Sequence, residues 1–300
     1  MSCIEHLIDI ANIVSAVDKD GIIKVYGDRK NVFAVAKNGK IDPTDLVAFR
    51  LSGQEIDKQA DIVCYFKSKA LVPELINETV GLANLELFAR MAKLHPNSAR
   101  TLNYDEGKPA EIRFDSGDGF VSYYRLTSGA ITSENVRVPA FIGKPCDISF
   151  LLGEKTINLF KKNASEASIA NKKYFWPMMN SRGYLYFSFD RDAPSNMTDR
   201  FEMARGLPHV ELAPYSYKAS SLKGILSRTS NCDSVTIGIS NQGFMEVNVN
   251  NKFGCYRFIL IGSEHKIWQW DWTNKWHQVL NIETLIQDDV CMHCDWEPPL

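Results

Sequence analysis

Tyr217-Lys-Ala-Ser-Ser-Leu-Lys-Gly-Ile-Leu-Ser-Arg228 reads as a helix, with Leu222, Ile225 and Leu226 on its apolar side. Three β-rich runs follow it: Ser234-Val-Thr-Ile-Gly-Ile239, Gly243-Phe-Met-Glu-Val-Asn-Val249 and Gly254-Cys-Tyr-Arg-Phe-Ile-Leu-Ile261. Asn241-Gln-Gly243 and Asn250-Asn251 supply the turns between them. The stretch therefore predicts a helix and a three-strand meander. A degenerate copy of the same order occupies 82–127. There a helix over 82–94 stops before Pro96, because proline cannot donate to a helix and restricts the residue before it. Strands are predicted near 100–104, 111–114 and 120–126, with Gly117-Asp-Gly119 as a hairpin turn.

Outward from these copies the halves keep one order. An amphipathic helix is predicted over 4–17, with Ile4, Leu7, Ile8, Ala11 and Val14 inward and Glu5, Asp9 and Asn12 outward. Strands follow at 21–26, 31–36, 44–51 and 61–66. Glycine and proline punctuate 127–147, which reads as a connector. The second half restarts with a strand at 148–152, a helix over 154–167 and strands at 174–179 and 184–189, with further candidates at 201–203 and 210–212. Beyond Gly262 the repeat stops. Ile267-Trp-Gln-Trp-Asp-Trp272 alternates like a strand, 276–286 is a helix candidate, and an acidic, proline-ended tail closes the chain. The fold class is α+β: two similar domains at 1–128 and 148–262, each of two helices on antiparallel sheet, a connector at 129–147 and a Trp-rich extension at 263–300.

Composition sets limits on function. Three hundred residues, 45% hydrophobic and 23% charged, suffice for two cores. A formal net charge of −2 excludes a uniformly basic nucleic-acid binder, so any attraction to phosphates needs cations segregated onto one surface. No apolar run approaches the roughly 18 residues of a membrane span, and the first residues lack a signal sequence. With seven cysteines, an odd number, the expectation is an intracellular protein with reduced thiols.

The helices carry the segregated charge. On 154–167, Thr156, Ile157, Phe160, Ala164 and Ala167 form the inward stripe, opposite Lys155, Asn158, Lys162 and Ser165, with Lys161 at the margin. On 217–229, Ser220, Gly224 and Ser227 form a small polar face flanked by Lys223 and Arg228. Glu86, Arg90 and Lys93 edge the helix over 82–94, continued by Arg100. Flexible cations beside small polar residues attract a phosphate backbone without reading sequence.

Catalytic and metal motifs are weak. Cys291-Met-His-Cys294 is half of a zinc pattern without its second half. No phosphate-binding loop, nucleophile elbow or HExxH helix is present. The expectation is no catalytic residue, no metal and no cofactor. An enzyme would have to assemble a site from scattered groups such as Asp190, Asp192, His209 and Cys232.

The run from Tyr217 through Val235-Thr-Ile-Gly-Ile-Ser-Asn-Gln-Gly-Phe-Met-Glu-Val247 resembles the second-domain helix and hairpin of the sliding clamps of DNA replication, the family of proliferating cell nuclear antigen and phage polymerase accessory clamps. Val80-Gly-Leu-Ala-Asn-Leu-Glu-Leu-Phe-Ala-Arg-Met-Ala-Lys93 is similar to the first-domain helix. The resemblance implies two DNA-clamp domains, a homotrimeric ring around double-stranded DNA, and a non-enzymatic tether for DNA polymerase that depends on a clamp loader. It implies that Arg90, Lys93, Arg100, Lys155, Lys161, Lys162, Lys218, Lys223 and Arg228 face DNA. It maps partner docking to the connector, with Val138, Phe141 and Ile142 as the apolar contacts. The diverged first half and the extension point to a viral or phage version, acting in the cytoplasm of a bacterial host or the replication compartment of an infected cell. A monomeric or dimeric processivity subunit gripping DNA by one basic face is the alternative. Two departures from the family stand out: the first helix turns no cation outward, and little chain precedes it to form the usual strand.

Overall fold

The computed structural model describes residues 2–15, 62–69, 72–75, 78–94, 99–130, 145–189 and 200–264, together with strands at 23–26, 36–37, 40–41, 47–50, 267–270 and 276–279. Helix α1 (Cys3–Val14) starts at a capping box: the Ser2 hydroxyl accepts from the Glu5 amide at 3.3 Å, and the Glu5 carboxylate accepts from the Ser2 amide at 3.1 Å. Strands β1 (Ile23–Tyr26), β2 (Ala36–Lys37), β3 (Lys40–Ile41), β4 (Val47–Arg50), β5 (Ile62–Ser68) and β6 (Thr79–Leu82) follow. Asn84, in the left-handed region at φ 50°, turns the chain into α2 (Leu85–Leu94), and its side-chain oxygen accepts from the Leu87 amide. The first meander is β7 (Ala99–Asp105), β8 (Lys108–Asp115) and β9 (Val121–Arg125), after which β10 (Thr127–Ser128) returns to β6.

The second half repeats this plan. Strand β11 (Ile148–Leu151) leads into α3 (Glu154–Ile169), then β12 (Tyr174–Met179), β13 (Leu185–Ser188), β14 (Arg200–Ala204) and β15 (Tyr215–Lys218). Helix α4 (Ala219–Leu226) opens the second meander, β16 (Ser234–Ser240), β17 (Phe244–Asn250) and β18 (Gly254–Ile261), and β19 (Ser263–Glu264) returns to β15. The correspondence extends to pairing. The strand before each second helix is flanked by a long-range partner and by the last short strand: β1-β6-β10 in the first half, β12-β15-β19 in the second. The phenylalanine core of the second half, with Phe160 against Phe175 at 5.4 Å and Phe187 at 6.1 Å, fixes α3 to its sheet.

One sheet crosses between the halves. Its order is β11-β16-β17-β18-β5-β4, so β18 pairs antiparallel with β5 from Gly254↔Ser68 to Leu260↔Ile62. Among the described residues the equivalent strands elsewhere stand at sheet edges: β9 ends the β7-β8-β9 sheet, and β14 ends the β14-β13-β12-β15-β19 sheet. No strand among the described residues takes the place beside β7 that β11 takes beside β16.

The α+β class and the twofold plan agree with the sequence expectation, and four local readings are corrected. Tyr217 and Lys218 belong to β15, not to the helix, because Tyr217 pairs with Phe175 and buries its ring against it at 5.9 Å. Leu82 likewise ends β6, opposite Ile23. Residues 210–212 form no strand; the Val210 amide donates to the Met179 thioether and the Ala213 amide to Asn241, outside any ladder. Trp276–Val279 is not helical but a strand, β21, paired with β20 (Ile267–Trp270), as its aromatic and β-branched residues favour. The rest of the candidate helix, 280–286, lies outside the described residues.

Candidate nucleic-acid interface

Each helix buries one face and leaves a charged one. In α2 the core side is Leu85, Phe88, Ala89 and Ala92, and Arg90 and Lys93 are exposed. In α3 the core side is Ile157, Phe160, Ala164 and Ala167, with Thr156 half-buried, as the periodicity requires. Lys155 and Lys162 are exposed and Lys161 half-buried. In α4 Leu222, Ile225 and Leu226 are buried, Lys223 is half-buried, and Arg228 is exposed just past the last turn.

Not every expected cation is equally available. Arg90 pairs with Glu86 at 2.6 Å, and Lys162 lies 3.9 Å from Glu166; both are exposed pairs of the weak i,i+4 kind. Arg100 is half-buried on β7, and its guanidinium Nη2 donates to the Ala92 carbonyl at 3.5 Å. That contact ties the end of α2 to the meander. Lys218 is exposed at the end of β15, where it caps α4 through its backbone.

Asp9 overturns a sequence expectation. It does not project outward: its carboxylate accepts from the Tyr256 hydroxyl at 2.6 Å and from the Asn251 amide at 2.8 Å. Burial raises its pKa, with the two hydrogen bonds pulling the other way. Asn12 is half-buried too. Helix α1 is thus enclosed, with eight of its twelve residues buried, and it ties the first half to the β17–β18 turn of the second.

Between the halves lies a crevice of about 670 Å³, open to solvent. Asp9, Asn12 and Ile13 of α1 form one wall, Lys93 closes it from α2, and Ser227, Arg228 and the 230–232 loop form the other side. Lys252 and Phe253, in the β17–β18 turn, complete the lining. Lys93 and Arg228, drawn from different halves, are therefore brought together. Lys252 was hidden in the sequence because its Asn-Asn-Lys context reads as an ordinary turn.

Little here suits catalysis. His209 is exposed, with Nδ1 3.2 Å from the Asn180 carbonyl oxygen. Cys232 lies in the crevice wall, its thiol pushed up to about 11 by burial and by Asp9 and Asp233, away from the range of an activated nucleophile. Among the described residues no group of three His, Cys, Asp or Glu side chains is placed to hold a metal, and no helix is long and apolar enough to cross a membrane. Asp190, Asp192, Cys291, Cys294, Val138, Phe141 and Ile142 lie outside the described residues.

No protein-family model matches the chain, and no curated protein sequence does. Solved structures do. Proliferating cell nuclear antigen (PCNA) of Thermococcus kodakaraensis superposes with a TM-score of 0.56 at 11% identity, over 88% of this chain and 98% of that one. The Entamoeba histolytica protein gives 0.56 at 12% identity, over 87% of this chain and 96% of that one. A. fulgidus PCNA, solved with the C-terminal region of FEN-1 bound, gives 0.54 at 13% identity, covering 89% and 98%. The chain has the sliding-clamp fold.

Proposed function

We propose that the protein is a sliding clamp, a head-to-tail ring of three copies that encircles duplex DNA without sequence preference and tethers a polymerase. The observation that carries this reading is the seam inside the chain. Strand β18 of the second repeat pairs with β5 of the first, and the equivalents of both partners, β9 and β14, stand at sheet edges among the described residues. Pairing β9 of one copy with β14 of the next reproduces the internal seam between copies, and such heterologous contacts close into a ring when the rotation allows.

The helices support the same contact. Helix α1 is buried on its flanks, whereas its equivalent α3 has four of its sixteen residues buried and leaves Leu159 and Ile169 exposed. On α2, Leu87 and Leu94 are exposed, as are β9's Tyr123 and the preceding Phe120. Packing α2 of one copy on α3 of the next covers these apolar side chains, as the ends of α4 and α1 face each other across the internal crevice. A strand edge that exposes aromatic side chains is otherwise an aggregation liability.

In this reading the helices line the hole. Arg90, Lys93, Lys155, Lys161, Lys162, Lys218, Lys223 and Arg228 meet the phosphate backbone, while Arg100 serves chiefly to fix α2. The ring catalyses nothing, works inside the cell and depends on a loader to open it. The connector at 129–147, between domains at 1–128 and 148–262, docks partners through Val138, Phe141 and Ile142. The low identity to cellular clamps and the added 263–300 extension support a viral or phage source.

Light scattering tests the assembly. Three copies of a 33.9 kDa chain give about 102 kDa, and that mass is expected across a dilution series. A monomer at every concentration would replace the ring by a one-faced processivity subunit.

A further inference from the structure

Lys93 at the end of α2, Arg228 after α4 and Lys252 in the β17–β18 turn line one crevice although they are far apart in sequence. Among the described residues no carboxylate forms an ion pair with any of the three. The Lys252 ammonium lies 4.9 Å from the centroid of the Phe253 ring, a cation–π contact that restrains its long side chain at the crevice. Among the described residues Asp9 is the one acid in the lining, and its carboxylate is engaged by Tyr256 and Asn251. Burial raises its pKa, while the charge of Lys252 pulls it back down. Asn12 ends at the same wall with Oδ1 buried and unpartnered among the described residues.

We propose that this crevice is a phosphate-binding notch in which Lys93, Arg228 and Lys252 converge on one phosphate group at the junction of the two repeats. The assignment of the phosphate to a DNA backbone rests on the clamp reading; the notch itself does not. It adds Lys252 to the cationic residues and replaces independent, loosely placed charges by a discrete site in each chain. Three cations gathered at one crevice hold a phosphate more tightly than the same charges spread along a helix face.

The test combines two probes on the full chain. Inorganic phosphate is titrated while backbone amide shifts are followed by NMR, and short-duplex affinity is measured against salt. Expected are saturable shifts at Asn231 and Lys252, abolished by Lys252→Ala. Lys252→Ala should also reduce the slope of log affinity against log salt by about 1, one lost phosphate contact. Lys108→Ala, at an exposed position that opens β8, is expected to leave the notch shifts unchanged. Phosphate shifts with an unchanged duplex slope would keep the notch and assign it to a free phosphate or nucleotide. Duplex binding by the wild type with neither phosphate shifts nor a slope change in Lys252→Ala would overturn the notch and leave the clamp reading standing. Absence of duplex binding by the wild type would overturn the DNA assignment, and the phosphate titration alone would then decide the notch.

Discussion

Asp9 shows how far one side chain departs from its helical wheel. The wheel puts it on the polar side of α1, yet the structure uses that polarity inside the molecule, as acceptor for Tyr256 and Asn251 from the opposite half. Tyr256 is fully buried, so removing its partner leaves a hydroxyl without an acceptor. Asp9→Ala is expected to cost about 1.5–3 kcal/mol in urea denaturation, the range for hydrogen bonds to a charged group. The pH dependence has a definite sign. Burial raises the Asp9 pKa above its ordinary 3.8, so the folded chain holds that proton more tightly than the unfolded chain. The resulting stabilisation is complete below 3.8 and is lost as pH rises through the folded value. Asp9→Asn abolishes this titration, so its stability relative to wild type should improve as pH is raised across the window. Parallel denaturation series at several pH values check this, and a constant difference would show that Asp9 titrates as it does in the unfolded chain. None of this was legible from periodicity, which gives the side of the helix but not what lies beyond it.

The two meanders and the buried stripe of α3 were legible because they depend on local periods of two and 3.6 residues. What periodicity withheld was partnership. Alternation in 254–261 marks a strand with a core face, but nothing local says that its second edge meets 62–68 across nearly two hundred residues. The same limit explains Lys218, where a strand ending at Lys218 runs straight into a helix starting at Ala219 and the local sequence suits both. It explains 276–279 as well, since Trp276 pairs opposite Trp270 in a hairpin that an isolated window cannot see. The seam makes a sharp prediction at Gly254. A Cβ there would run into the Lys67 carbonyl and the Phe66 ring on β5, so β18 lies this close to β5 only without a side chain. Gly254→Val should therefore destabilise the chain by roughly 1–3 kcal/mol, as overpacking does. Hydrogen exchange should quicken in 62–68 and 254–261 before it changes in α3. Uniform loss of protection would mean that the halves do not separate at this seam.

At the scale of the molecule, a net charge of −2 is compatible with DNA only if geometry does what overall charge cannot. Cations on the helices supply local attraction, but single contacts with phosphate weaken steeply as salt rises. A closed ring escapes that limit because its hold is topological: once around a circular duplex it leaves only by opening. The edge at β9 is the place to separate these cases. Tyr123 is 56% exposed there, so Tyr123→Glu puts a charge where the neighbouring copy would pack without disturbing the core. The variant is expected to keep its circular dichroism and to shift from about 102 kDa to the 33.9 kDa monomer. With a loader and nicked circular DNA, wild type should survive a wash at roughly 0.5 M salt, where exposed charges are largely screened. It should be released when the circle is cut. Tyr123→Glu should be lost in the wash whether or not the circle is cut. If wild type and variant wash off alike, the grip is electrostatic and one-sided, and the edges of β9 and β14 serve some contact other than ring closure.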